Sequence, residues 1–453
     1  MSVPTAKWST AFSRFGLGAL GRAAPREGDP REALEAELEA PGAGAIAGPE
    51  LKSGAEAMAT FFELAAERSQ AQKADLNPKV ETKPSPIAAI FHQEASARIA
   101  AACAAEIGFV ERLVAFWSNH FCVSAAKGLS VRAVAGAYER EAIRPHVLGR
   151  FADMLQAAER HPAMLAYLDN VQSIGPNSRQ GQRAAKGLNE NFGREILELH
   201  TLGVDGGYAQ GDVTELARAL TGWTVAGREG TLGAPGGFAF NANAHEGGAR
   251  TLLGRSYPQE GLTQGEAALT DLARSPATAR HIATKFVRAF VADSPPAGLV
   301  GRLTDVFENR QGDLGALARA LIADEDAWRA PATKMRDPWQ MMIAAWRALG
   351  LDPLQPNRIL SSMTLLGMPL WSPGGPNGFP DTTDAWASPE GIKTRVQIAA
   401  GLGRIAKDAP APRELIDRVL PDAAEMTRET VLRAESRPQA YALMILSPEF
   451  QRR

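Results

Sequence analysis

Cysteine is nearly absent. The 453 residues hold two, Cys103 and Cys122, which excludes a disulfide framework and any metal site of paired-cysteine spacing. Both fall in helical sequence and are expected to be small buried side chains. Also missing is any run of the about 18 apolar residues that a membrane span needs. The opening stretch MSVPTAKWSTAFSRFGLGALGR has no apolar core of signal-peptide length. The expectation is therefore no membrane span and a protein made in the cytoplasm, with export alongside a partner left open. An excess of one charge is lacking too. Lys plus Arg number 49 against 51 acidic residues, a formal net charge of -2, so no global field draws in nucleic acid. Phosphate loop, nucleophile elbow and dinucleotide fingerprint are all missing.

What the chain does have is helical periodicity, in a composition 45% hydrophobic and 22% charged that suits a packed core. Residues 86–121 read as a long helical region kinked at Gly108. Val110, Leu113, Val114, Trp117 and Phe121 share one of its faces at spacings of three and four. Further helices are predicted near 130–143, 147–157 and 162–169, then a polar loop over 170–187. The stretch 236–254, GGFAFNANAHEGGARTLLG, alternates like an irregular β segment. Helical sequence resumes over 263–349, a Pro/Gly/Trp loop fills 366–387, and helices close the chain over 388–449. Length alone would suggest two or three domains, but no strong linker follows residue 85. The fold class expected is mainly α, one large helical domain over 51–453 with a small β hairpin insertion near 236–256. Residues 1–50 are expected as a loose N-terminal arm packed on it.

Polar residues concentrate in NENFGREILELHTLGVDGGYAQGDVTELARALTGW, residues 189–223. At 100° per residue over 190–202, Phe192, Ile196 and Leu199 share one side, while Glu190, Arg194 and Glu198 form an i, i+4, i+8 row on the other. Glu195 lies at the border, about 60° from Glu198 on that wheel, so the two carboxylates can converge on one ligand. His200 points away from Glu198, so this helix alone cannot build a Glu/His metal box. Gly203 is placed to end the helix in a left-handed cap. Asp212 with Glu215 three residues on reads as a capping box opening a helix at Val213.

Among the histidines, His281 beside Lys285 and Arg288 reads as solvent-exposed, and His92, His146 and His161 read as helix-end residues. His120 borders the apolar stripe next to Asn119 and is a candidate general base, or equally a hydrogen-bonded core histidine. His245 sits in a turn beside Glu246, a loop position of the kind that carries sites. Trp223, Trp371 and Trp386 lie at element ends or in loops, where indole faces can hold sugar rings or close a core.

FWSNHF (116–121), YEREAIRPHVLGRFADML (138–155), PAMLAYLDN (162–170), the 188–223 motif, FAFNANAHEGGARTLLG (238–254) and PNGFPDTTDAWASPEGIKTR (376–395) together resemble the bacterial family called domain of unknown function 1800. The order and spacing run from about residue 10 to the end. Glu246 stands where that family usually has Asp, Arg250 where it has Lys, and Phe379 where it has Trp. The resemblance implies that His120, Asn189, Glu190, Arg194, Glu195, Glu198, His200, Asp212, Trp223 and His245 occupy the family's motif positions. It also implies a neighbourhood with a co-encoded sulfatase-like protein as a partner.

The functional expectation is a hydrolase or lyase acting on a cell-envelope or extracellular polymer, a glycan among the candidates. Its catalytic residues would be His120, Glu195, Glu198 and Arg194. Asn119, Asn189, Glu190, His200, Trp223, His245, Trp371 and Trp386 would hold the substrate in one cleft. A divalent metal is open but not favoured. The alternative is a non-enzymatic assembly or export partner of the sulfatase-like protein, with the motif as a structural polar network.

Overall fold

The computed structural model describes residues 7–23, 26–73, 85–183, 187–353 and 356–453. The molecule is mainly α-helical. One contiguous apolar core runs from Ala11 to Phe450. The elements that matter for the site are α1 (Pro86–Ala104), α2 (Phe109–His120), α3 (Leu129–Tyr138), α4 (Phe151–Arg160), α5 (Gln210–Ala219), α6 (Pro276–Phe290) and α7 (Pro338–Leu349).

The predicted 86–121 helix is broken, not kinked. Gly108 has φ +92, a left-handed backbone that glycine adopts without strain, and α2 starts afresh after it. Glu37, on the helix Pro30–Glu39, reaches across to the new N-terminus and accepts from Gly108 N and Val110 N, both at 3.1 Å. The expected stripe is buried as predicted: Val110, Leu113, Val114, Trp117 and Phe121 are at most 4% exposed. Trp117 stacks on Phe121, which stacks on Phe151 of α4.

The described part of the N-terminal arm is bolted to the rest. Phe15, Leu17 and Leu34 are buried, and Arg14 donates to Ala327 O and Ala330 O at 2.6 and 2.7 Å. Residues 184–186 of the predicted 170–187 loop lie outside the described residues.

The β component is split differently from the single expected hairpin. β1 (Trp223–Val225) pairs antiparallel with β2 (Phe238–Phe240), Trp223 opposite Phe240. β3 (Arg250–Leu252) pairs with β4 (Arg255–Tyr257) across Leu253 and Gly254, both at positive φ. That is the backbone of a type I′ turn, whose twist suits a two-residue hairpin. Strand β1 was hidden because it follows directly on a helical turn. Among the described residues no helix is long and apolar enough to cross a membrane.

Candidate functional site

The 189–223 motif folds as a polar brace between two helices. Asn189 lies just before the helix Asn191–Glu195, accepting from Asn191 N at 3.0 Å while its amide donates to Asp169 O at 3.2 Å. Glu190 accepts from Gln210 Nε2 and Thr214 Oγ1 at 2.7 Å each, and Arg194 donates to Gln210 at 2.8 Å. Asp212 does not open its helix as expected. It is the third residue of α5, where one oxygen accepts from Ala209 N at 2.8 Å and the other from Leu253 N at 2.7 Å. Gly203 ends the preceding helix at φ +84, as its position predicts.

The helical wheel fails after Glu195. The α-helical turn Asn191–Glu195 passes into a π-helical turn, Ile196–His200, whose hydrogen bonds close five residues apart. His200 therefore turns inward, where Nδ1 meets Glu159 Oε1 at 2.7 Å with both residues fully buried. Glu195 is left half-buried, with no hydrogen bond or ion pair among the described residues. Burial raises its carboxyl above the usual range; His200 opposes the rise and Glu198 adds to it.

His120 is 2% exposed, and its Nε2 donates to His200 O at 3.1 Å, which leaves Nδ1 without a protein partner. Burial, reinforced by Lys285, holds this imidazole neutral. His281 is a correction to the sequence reading. It faces inward, Nε2 lies 3.2 Å from Leu199 O, and burial beside Lys285 pushes its pKa down to about 4. His161 caps its helix as a helix-end residue should, accepting from Ala163 N at 3.1 Å.

The sequence-predicted residues thus do not share one cleft. Asn119, His120 and Trp371 line a pocket. Arg194, Glu195, Glu198, Glu190 and Asn189 lie outside its walls, on the 190–214 brace. His245 is tied to Thr221 O at 2.9 Å. Trp223 is fully buried against Phe238 and cannot serve as an exposed platform. Trp386 is also buried, donating to Pro380 O at 3.1 Å behind the pocket's roof. No group of three His, Cys, Asp or Glu side chains that could hold a metal ion occurs among the described residues.

The pocket lies between α1, α2, α6, α7 and the 368–381 loop, with about 900 Å³ of empty space, mouth included. Phe116, Phe290, Trp339, Trp371 and Phe379 form its apolar walls, and Arg98, Arg112, Lys285, Asp337 and Asp381 supply its charges. The loop is stitched down from below. Asn119 accepts from Phe379 N at 2.8 Å and donates to Phe379 O at 3.0 Å. Ser124 donates to Pro373 O at 2.8 Å and Ala125 N to Trp371 O at 2.7 Å. At Gly378 a Cβ would lie 2.6 Å from Asn119 O, so only glycine allows this approach. Trp371 itself sits at φ +47, a conformation that costs a bulky residue on the order of 1–3 kcal/mol and persists only where the surroundings over-determine it.

A buried carboxylate organises one wall. Glu139, 2% exposed, accepts from Ser118 at 2.9 Å and Trp371 Nε1 at 3.0 Å, and pairs with Arg98 and Arg144 at 3.1 Å each. Burial alone would raise its carboxyl; Arg98, Arg144 and the two neutral donors outweigh that and hold it below the usual range. Arg98 in turn stacks on Trp339, 4.4 Å from the ring centre.

The floor is different. Arg112 lines the pocket and is 3% exposed; Arg336 and Arg453, equally buried, lie outside its lining, and none of the three has a carboxylate within ion-pair distance among the described residues. Arg112 makes one long hydrogen bond, 3.4 Å to Ala289 O, and rests on Phe290. Lys285 and Asp381, each half-buried at the pocket edge, also have no side-chain hydrogen bond or ion pair among the described residues. Burial lowers the Lys285 ammonium below its ordinary value against the pull of Asp381, and burial raises Asp381 against Lys334, Arg453 and Lys285.

These charged residues escaped sequence reasoning, although one signal was visible. Arg112 sits inside the apolar stripe of α2, where a guanidinium is out of place unless something pairs with it.

Fold and pocket together define a mainly α-helical protein with a cationic floor under aromatic walls. The chain belongs to the family described as protein of unknown function, DUF1800, whose pattern matches residues 10–452. No curated protein and no solved structure is found to match it.

Proposed function

We propose that this protein acts on an anionic, ring-bearing substrate in the pocket beneath Trp371, as a hydrolase or lyase of an acidic polymer such as a uronate-containing or sulfated glycan. The observation that supports this most is the buried guanidinium of Arg112 in the pocket lining, which has no carboxylate within ion-pair distance among the described residues. A buried charge without a partner costs several kcal/mol, and an anionic ligand would offset that cost. The aromatic walls suit a sugar-sized ring. Asp381 lines the pocket, and burial raises its carboxyl above the usual range, the direction that suits a proton donor to a leaving group.

Here Asp381 takes the acid role in place of His120 and Glu195, because burial holds the His120 imidazole neutral and Glu195 lies outside the pocket walls. The test is turnover of uronate and sulfated oligosaccharides, followed by new reducing ends and by the ultraviolet absorbance of an unsaturated product. Asp381→Asn should abolish turnover and leave the melting temperature unchanged. Turnover that survives in this variant contradicts the assignment.

The 190–214 brace favours a second reading. Its polar atoms satisfy one another away from the pocket, as expected of a network that fixes helix packing for an assembly partner. Stable co-purification with a sulfatase-like protein, with no turnover of any acidic glycan, would decide for it.

A further inference from the structure

We propose that Lys285 is a nucleophile that forms an imine with an anionic carbonyl compound, such as a small oxo acid or a uronate in its open aldehyde form. The inference rests on the pocket reading above and assigns the pocket a covalent step.

Lys285 enters the pocket from α6 and is the one lysine among its lining residues. Its amine has no carboxylate within ion-pair distance and no hydrogen bond among the described residues. Lys334, the other lysine held inside the molecule nearby, shows the contrast: it is locked onto Asp293 at 2.5 Å and Asp381 O at 2.6 Å. The Lys285 amine is thus restrained by packing around its stem and left available at its tip. The titratable groups it faces are Asp381 on the roof, Arg288 and His281 on its own helix, His120 on α2 and the Cys122 thiol just beyond that helix. Arg112 on the floor supplies the counter-charge for a substrate carboxylate. Burial also lowers the ammonium's pKa, which increases the free amine available at neutral pH.

The step balances without a co-reactant. The neutral amine attacks the carbonyl carbon, and one N–H proton moves to the carbonyl oxygen, giving a carbinolamine. The Asp381 carboxyl donates a proton to that hydroxyl, the C–O bond breaks, water leaves, and the nitrogen lone pair closes the C=N⁺ bond. Nothing is oxidised or reduced.

The test uses glyoxylate as the probe and cyanoborohydride to trap the imine as a stable secondary amine, with the modified lysine located by peptide mass spectrometry. Lys285 should label ahead of the exposed Lys393, by about tenfold for each pH unit by which its pKa lies below that of an exposed lysine. Sodium sulfate or Arg112→Met should slow labelling at Lys285 and leave Lys393 unaffected. Lys285→Arg, which keeps the charge and cannot form an imine, should remove that adduct at an unchanged melting temperature. Labelling of Lys285 no faster than Lys393, or insensitive to both sulfate and Arg112→Met, overturns the proposal. If glucuronate binds by calorimetry and Lys285 stays unmodified, the imine fails and the anion pocket stands. If neither occurs, both fail.

Discussion

Replacing Glu139 with Gln removes one buried charge and keeps its shape. The amide oxygen can still accept from Ser118 or Trp371, so the packing defect is small. Arg144 retains Glu111, which it grips through two hydrogen bonds at 2.7 and 2.9 Å. Arg98 has no other carboxylate in ion-pair range among the described residues and bears most of the loss. Breaking a buried pair by removing one partner costs about 3–5 kcal/mol, and the surviving Arg144 pair places this case near ~3 kcal/mol. For 453 residues the unfolding entropy near the midpoint is about 0.95 kcal/mol/K, so the melting temperature should fall by about 3 °C. Calorimetric scans of wild type, Glu139→Gln and Glu111→Gln at neutral pH provide the readout. Glu111→Gln should cost less, because it leaves Arg144 with Glu139.

The pH dependence follows from the direction of the shift. Glu139's carboxyl is held below its unfolded value, so its contribution is present above the ordinary carboxylate range, about pH 4.5. That contribution is lost as pH falls through the folded value. The gap between wild type and Glu139→Gln should therefore close in acid. A fall under about 1 °C at neutral pH, or a gap that persists at the most acid pH tolerated, refutes the reasoning.

Three other substitutions probe different parts of the account. Glu195→Gln should melt at or above the wild-type temperature at pH 7. Burial raises that carboxyl, so ionisation costs stability as pH rises above the unfolded value, and a marked loss would show a hidden partner. Asn119→Ala removes both bonds to Phe379, at about 1 kcal/mol each. It should weaken ligand binding roughly tenfold or more and speed proteolysis in the 371–381 loop, with little change in global melting; unchanged proteolysis counts against the clasp. Glu159→Ala, at a fully buried pair with His200, should lower the melting temperature well beyond Glu190→Ala, whose exposed ion pair with Arg194 is worth about 0–1 kcal/mol. The reverse order would mean that the surface brace, not the buried pair, holds this region.

Sequence reasoning reached local features and stopped at those set by distant chain. The stripe of α2 was legible because five apolar residues repeat at helical spacing, and Gly203 because a left-handed cap needs little beyond glycine. The π-helical turn was not legible: its side chains look like those of an α-helix, and its register is fixed by the buried meeting of His200 with Glu159, 41 residues away. Lys285 and His281 share a face that reads as solvated until the 195–203 segment and the 368–381 loop cover it. Trp223 looked like an element end in sequence, and its burial comes from strand β2, which the chain supplies 15 residues later. The pocket charges come from four helices and a loop, so no single stretch announced them.

The central claim is that the cationic floor takes an anion held against aromatic walls. The most direct measurement is titration calorimetry of the purified protein with D-glucuronate and with D-glucose, repeated on Arg112→Met. The account predicts that glucuronate binds, that glucose binds at least tenfold more weakly, a difference of about 1.4 kcal/mol or more, and that Arg112→Met removes the preference without lowering the melting temperature. Equal affinity for the two sugars, or a preference untouched by Arg112→Met, would contradict it.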